Sequence, residues 1–299
     1  MGGQPGDPIR KRLTPDATLQ ITLAGLTATA LFSAAGAGGL ALMYWALRKG
    51  GVERRRAACR LVAFLCIQYV IYLSALVIFG VLLRTGVLPG DNPAGGTIIP
   101  AAVAGAVLIL IVCVSRIPDN FERRAKQLGR RKRFSKLAAR LTTLPATVAT
   151  GVRTALDIVR DRRRGPPAVI GGIGFWACNI GALWACFHAY GVDVDFGVVV
   201  QGFFVGTTAN LLPSPAGGVG TLDAGLIGSF ILFGISKDEV FPVILTYRFV
   251  FYWLPIIPGL IMFLRLRGTV HRWEEERRRT GEPVDEGYTS ESKVKAEAT

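Results

Sequence analysis

Asn210-Leu-Leu-Pro213-Ser-Pro215-Ala-Gly217-Gly218-Val-Gly220-Thr-Leu-Asp223-Ala decides how this chain is read. It joins two strongly apolar runs, residues 196–212 and 222–234, each about one helix long. Two prolines and three glycines within eight residues continue neither helix. Proline lacks the N–H donor and clashes with the preceding turn, while glycine favours loops. Backbone interrupted at membrane depth is tolerated only where it is buried in protein or lines a wet cavity. A break flanked by a lone Asn210 and a lone Asp223 is one way to build a polar site inside a bilayer. The competing reading is a short extramembrane turn between two spanning helices.

The totals place this stretch in a membrane. The 299 residues are 51% hydrophobic with a mean hydropathy of +0.40, yet the formal net charge is +14. Soluble domains are rarely so apolar, whereas concentrated basic segments between apolar runs describe a polytopic membrane protein with positive inside loops. Five cysteines lie in or beside apolar runs without CxxC spacing, and two histidines are scattered. These read as packing residues, so no metal or other cofactor is expected.

The fold class expected is all-α, with about six to eight membrane helices and two interrupted helix pairs. Residues 1–16 form a polar cytoplasmic N-terminus. Residues 17–115 form the first half of the bundle, beginning with helices at 17–32 and 40–47 around a Ser33–Gly39 break. A basic loop at 48–60 should be inside, a span covers 57–83, residues 84–96 are external, and 97–115 returns. Residues 116–167 make a basic amphipathic cytoplasmic linker. Its 116–164 part has fifteen Lys/Arg against four Asp/Glu, with apolar residues from Phe134 to Val159 at three- and four-residue intervals. Such a segment suits an anionic leaflet. Nucleic acid is set aside as a partner because membrane spans tether the run on both sides.

Residues 168–264 form the second half, with an outward span at 168–190, the broken pair 196–234 and an inward span at 240–264. Residues 265–299 are expected to be a disordered cytoplasmic tail. Tyr44, Trp45, Tyr190 and Trp273 are candidate interfacial anchors. An offset of 179 sets Gly38-Gly39 over Gly217-Gly218, and an offset of 180 sets Tyr72 over Tyr252. The charge pattern runs the two units through the membrane in opposite senses, an inverted repeat of the kind that brackets a transporter's midplane site.

The 196–264 region resembles the membrane region of the lysylphosphatidylglycerol synthetase family, flippase-like integral membrane proteins. Asn210, Pro213-x-Pro215-x-Gly217-Gly218-x-Gly220, Asp223 and Tyr247-Arg248 carry the resemblance. It implies binding or transfer of an anionic phospholipid or lipid-linked intermediate across the cytoplasmic membrane. Three departures stand out. The family usually has Glu where Asp223 stands, the Ser33–Gly39 break lacks prolines, and the one or two further spans usual in the family before the region of residue 20 are expected to be missing.

Site residues follow. Asp223 and Arg248 are the ionisable pair placed deep in the apolar part of 196–264, either as a lipid-phosphate site or as a structural pair closing the bundle. Asn210 caps a half-helix or meets a headgroup. Gly217, Gly218 and Gly220 present N–H groups to an anion or pack closely. Asn179, Gln201, Gln68 and His188 read as interhelical hydrogen-bonding groups. No P-loop, HExxH or nucleophile elbow is present, and an enzyme is not expected. The alternatives to a flippase-like transporter are the membrane part of a lysylphosphatidylglycerol synthase system and a non-transporting scaffold.

Overall fold

The computed structural model describes residues 14–31, 37–115, 159–161, 165–211 and 220–280. The expectations for 1–13, the basic run 116–158, the proline–glycine core of the 212–219 break and the tail 281–299 lie outside the described residues.

Nine α-helices follow in order among the described residues: α1 Pro15–Leu31, α2 Ala37–Lys49, α3 Arg54–Arg84, α4 Ile98–Ser115, α5 Gly165–Ala189, α6 Phe196–Thr207, α7 Thr221–Leu232, α8 Lys237–Arg248 and α9 Ile256–Thr280. A 3-10 turn, Thr208–Leu211, extends α6, and a π turn, Phe249–Trp253, links α8 to α9. Ala57–Arg84, Gly165–Ala189 and Lys237–Glu276 are long and apolar enough to cross a membrane, the last taking α8 to α9 as one rod. The remaining helices include half-length arms, as an architecture of interrupted pairs requires.

Local chemistry explains the boundaries. Thr14 accepts from the Ala17 N–H at 3.2 Å and Pro15 occupies the first helical position, where its missing N–H costs nothing. Ser236 caps α8 by accepting from Glu239 N–H. Pro255 cannot supply an N–H to the carbonyl one turn back. The ladder slips to a π register ahead of it, with Leu254 N–H donating to the Phe249 carbonyl at 2.9 Å. The inward span expected at 240–264 therefore carries a π turn within a continuous helical segment.

Two further expectations change. Helix α2 begins at Ala37, so Gly38 and Gly39 lie within it. A Cβ at Gly39 would strike the Gly25 carbonyl and Thr29, which shows how closely α1 and α2 pack. At the other end, α9 runs beyond residue 264 to Thr280. Leu266, Val270 and Trp273 are buried against Ala17, Ile21 and Ala24 of α1, and Thr269 donates to Gln20 at 3.0 Å. These apolar contacts override the charged composition of 265–280. Trp273 is a packing residue, 6% exposed.

The two halves hold each other by matching contacts. Tyr72 on α3 donates to the Phe204 carbonyl near the end of α6 at 2.6 Å. Tyr252 donates to the Ala30 carbonyl at the end of α1 at 2.8 Å. Further along each long helix a glycine meets the same arm. Gly80 approaches Gln201 of α6, and Gly259 approaches Thr27 and the Leu23 carbonyl of α1. In each half the long helix runs antiparallel to the first arm of the other half's hairpin. The residues matched at offsets of about 180 in sequence thus make equivalent contacts.

Tyr72→Phe removes the bond donated to the Phe204 carbonyl, which keeps the Thr207 hydroxyl as a donor, and Tyr252→Phe removes the bond donated to the Ala30 carbonyl. We expect each to lower stability by about 1–2 kcal/mol. The check is thermal unfolding in detergent, where both variants should lose comparable midpoints.

Candidate functional site

The site is assembled where the second hairpin restarts. Gly220 precedes α7 with φ of +88°, a left-handed conformation that suits glycine. Its N–H donates to Asp223 Oδ2 at 3.0 Å, so the carboxylate sits at the positive end of α7. The other oxygen, Oδ1, lies 2.6 Å from Arg248 Nε. One carboxylate thereby ties the hairpin's second arm to the last residue of α8.

Arg248 is 7% exposed. Its guanidinium carbon lies 4.3 Å from the centroid of the Tyr252 ring, a distance that allows cation–π attraction. Neither Arg248 Nη2 nor Asp223 Oδ1 has a well-aligned hydrogen-bond partner, and Thr221 Oγ1 at the same helix start is also unpartnered. An ion pair that is close but poorly aligned recovers little of its desolvation cost. The arrangement can therefore accept a ligand offering further oxygen atoms.

Tyr247 turns to a different neighbour. Its hydroxyl donates to Asn179 Oδ1 on α5 at 3.1 Å, and its ring stacks on Phe251 at 5.6 Å. Asn179 in turn donates to the Phe175 carbonyl at 2.8 Å. Successive side chains on a helix diverge by about 100°, so Tyr247 fixes α8 to α5 while Arg248 faces α7.

Of the residues singled out from sequence, the structure brings together Gly220, Asp223 and Arg248, whereas Tyr247 bonds to Asn179 on α5. Asn210 is exposed on the 3-10 turn. Pro213, Pro215, Gly217 and Gly218 lie outside the described residues. Sequence reading missed Tyr252 as Arg248's aromatic neighbour, although its four-residue spacing from Arg248 was visible. Among the interhelical candidates, Gln201 donates to the Gly96 carbonyl at 2.9 Å. His188 Nδ1 lies 3.0 Å from the Trp184 carbonyl on its own helix. Gln68 Oε1 is buried without a partner. Among the described residues no group of three or more His, Cys, Asp or Glu is placed to hold a metal.

Comparison with known proteins gives the following. Residues 7–259 match the family described as Lysylphosphatidylglycerol synthase TM region. A UPF0104 membrane protein of Methanothermobacter thermautotrophicus is 31% identical over 103 residues, 34% of this chain and 29% of that protein. The phosphatidylglycerol lysyltransferase of Staphylococcus aureus is 28% identical over 87 residues, 29% of this chain and 10% of that protein. The chain thus matches less than a third of the length of these relatives. No solved structure matches.

Asp223 and Arg248 should be energetically coupled. Removing either partner alone leaves a buried charge, so Asp223→Ala, Arg248→Gln and the double variant form a cycle. We expect a coupling of about 1–3 kcal/mol in detergent unfolding.

Proposed function

This chain belongs to the family of the lysylphosphatidylglycerol synthase TM region, and on that basis we propose that it is a flippase-like transporter. It binds the phosphate of an anionic phospholipid or lipid-linked intermediate at the second broken hairpin and passes it across the cytoplasmic membrane. The positive-inside charge pattern supports placing both termini in the cytoplasm.

The observation that carries this reading is Arg248. It is a buried guanidinium in an apolar bundle, held at 2.6 Å by a single carboxylate and left with Nη2 unpaired. Ionisable groups at membrane depth are costly and mark substrate pathways. The planar fork of arginine matches phosphate oxygens. Asp223 serves as a replaceable counterion. When a phosphate arrives, Arg248 exchanges one anion for another, and Asp223 keeps its bond to Gly220 N–H. The exchange keeps Arg248 paired throughout, while Asp223 retains the Gly220 N–H at the positive end of α7.

A second reading rests on the likeness to the Staphylococcus aureus phosphatidylglycerol lysyltransferase. In it this chain handles the lipid for a lysyl-transfer system and carries no catalysis of its own.

Proteoliposomes with fluorescent phosphatidylglycerol, lysyl-phosphatidylglycerol and a polyprenyl phosphate separate these readings. The expected result is movement of one anionic lipid, reduced to the protein-free rate by Arg248→Gln in protein that keeps its size-exclusion profile. Movement of lysyl-phosphatidylglycerol alone favours the second reading. Undiminished movement by Arg248→Gln overturns the assignment of the site.

A further inference from the structure

Six buried side-chain atoms lack a hydrogen-bond partner among the described residues. Three belong to the Thr221, Asp223 and Arg248 site, and a fourth is the spare oxygen of Gln201, whose nitrogen is already bonded. The remaining two are Gln68 Oε1 and Trp176 Nε1, on helices α3 and α5 that pack together.

Their place in the fold is not arbitrary. Gln68 stands 180 positions before Arg248, as Tyr72 stands 180 before Tyr252. Each precedes by one turn the tyrosine that holds the opposite hairpin's carbonyl. Gln68 therefore occupies in the first half the position that Arg248 occupies in the second, with the charge removed. Gly172 lets α5 pack directly against Gln68, since a Cβ there would lie 2.9 Å from Gln68 Oε1 and 2.5 Å from Ile71 Cδ1. One turn further along α5, the Trp176 ring lies 5.6 Å from Tyr72 and 5.5 Å from Phe204. Gln68 and Tyr72 thus face Gly172 and Trp176 as two parallel rungs.

We infer that this is a second, uncharged headgroup site, selective for a hydroxyl such as a glycerol headgroup carries. A hydroxyl donates to Gln68 Oε1 and accepts from Trp176 Nε1, which satisfies both orphaned atoms at once. A phosphate supplies no donor for the amide oxygen and meets no cation here, so the site discriminates by hydrogen bonding. Buried polar groups left unpaired by the wrong ligand make such discrimination strong. This inference rests on the transport reading and deepens it. Arg248 takes the phosphate in one half, and the Gln68 site takes the neutral end of a headgroup in the other.

The test compares phosphatidylglycerol with phosphatidylmethanol, which has the same charge and phosphodiester but no hydroxyl, in proteoliposomes. The wild type should move phosphatidylglycerol about tenfold faster, the scale of one good hydrogen bond. Gln68→Leu and Trp176→Phe should bring the ratio of rates towards unity. Gly172→Ala keeps both polar groups but crowds Oε1, and it should do the same. The ratio, unlike an absolute rate, is insensitive to the fraction of protein that folds. A wild type without preference, or variants that retain it, would overturn the hydroxyl site. Arg248→Gln run alongside judges the phosphate site separately, because its failure shows as unchanged rates for both lipids.

Discussion

A helix that stops inside a bilayer leaves carbonyls and N–H groups that no solvent will satisfy, and the architecture of this protein is arranged around that constraint. Each broken hairpin carries its first arm to a dead end, and a tyrosine from the opposite half meets the carbonyls there. Tyr72 reaches Phe204, and Tyr252 reaches Ala30. The restart of the second hairpin is met differently, by a carboxylate from its own first turn at Gly220. Without these partners each break would leave buried polar groups unpaired, at a cost of about 1–3 kcal/mol per group.

Charge is then placed where the backbone already offers compensation. The start of α7 is electropositive by virtue of its aligned peptide dipoles, which favours Asp223 at that spot. Asp223 in turn permits Arg248, and Arg248 finds a further weak partner in the Tyr252 ring. Because Tyr252 also bonds to the first hairpin, the ion pair and the far half of the molecule share one side chain. The rest of the packing relies on small residues, Gly25, Gly39, Gly206, Gly225 and Gly259, which bring backbones into contact. This is the expected solution where lipid offers no hydrophobic reward for helix association.

Much of this was legible in the chain itself. Apolar runs, basic loops and proline–glycine clusters announce spans and breaks through strong local physics. The Tyr72–Tyr252 correspondence emerged from alignment of one half on the other, and the contacts of the two tyrosines give it physical content. What escaped the sequence were long-range effects. Residues 265–280 are rich in charge, and although Leu266, Val270 and Trp273 recur at helical spacing, nothing local reveals that this stripe packs against α1. Gly38 and Gly39 read as helix breakers, yet close packing against α1 holds them inside α2. The π register before Pro255 likewise depends on where the displaced carbonyl can go.

The exchange of arms between halves has a consequence for synthesis at the ribosome. The end of α1 is secured by Tyr252, 222 residues later in the chain. At ribosomal speeds of roughly 5–20 residues per second, the first hairpin waits about 10–45 s for its partner. During that interval its dead-ended carbonyls need a surrogate, which a membrane insertase or chaperone interface can supply. A nascent chain halted before α8 should accordingly remain protease-sensitive at its first hairpin, however long it is left in the membrane. Among the described residues, the last helix, α9, also packs on the first.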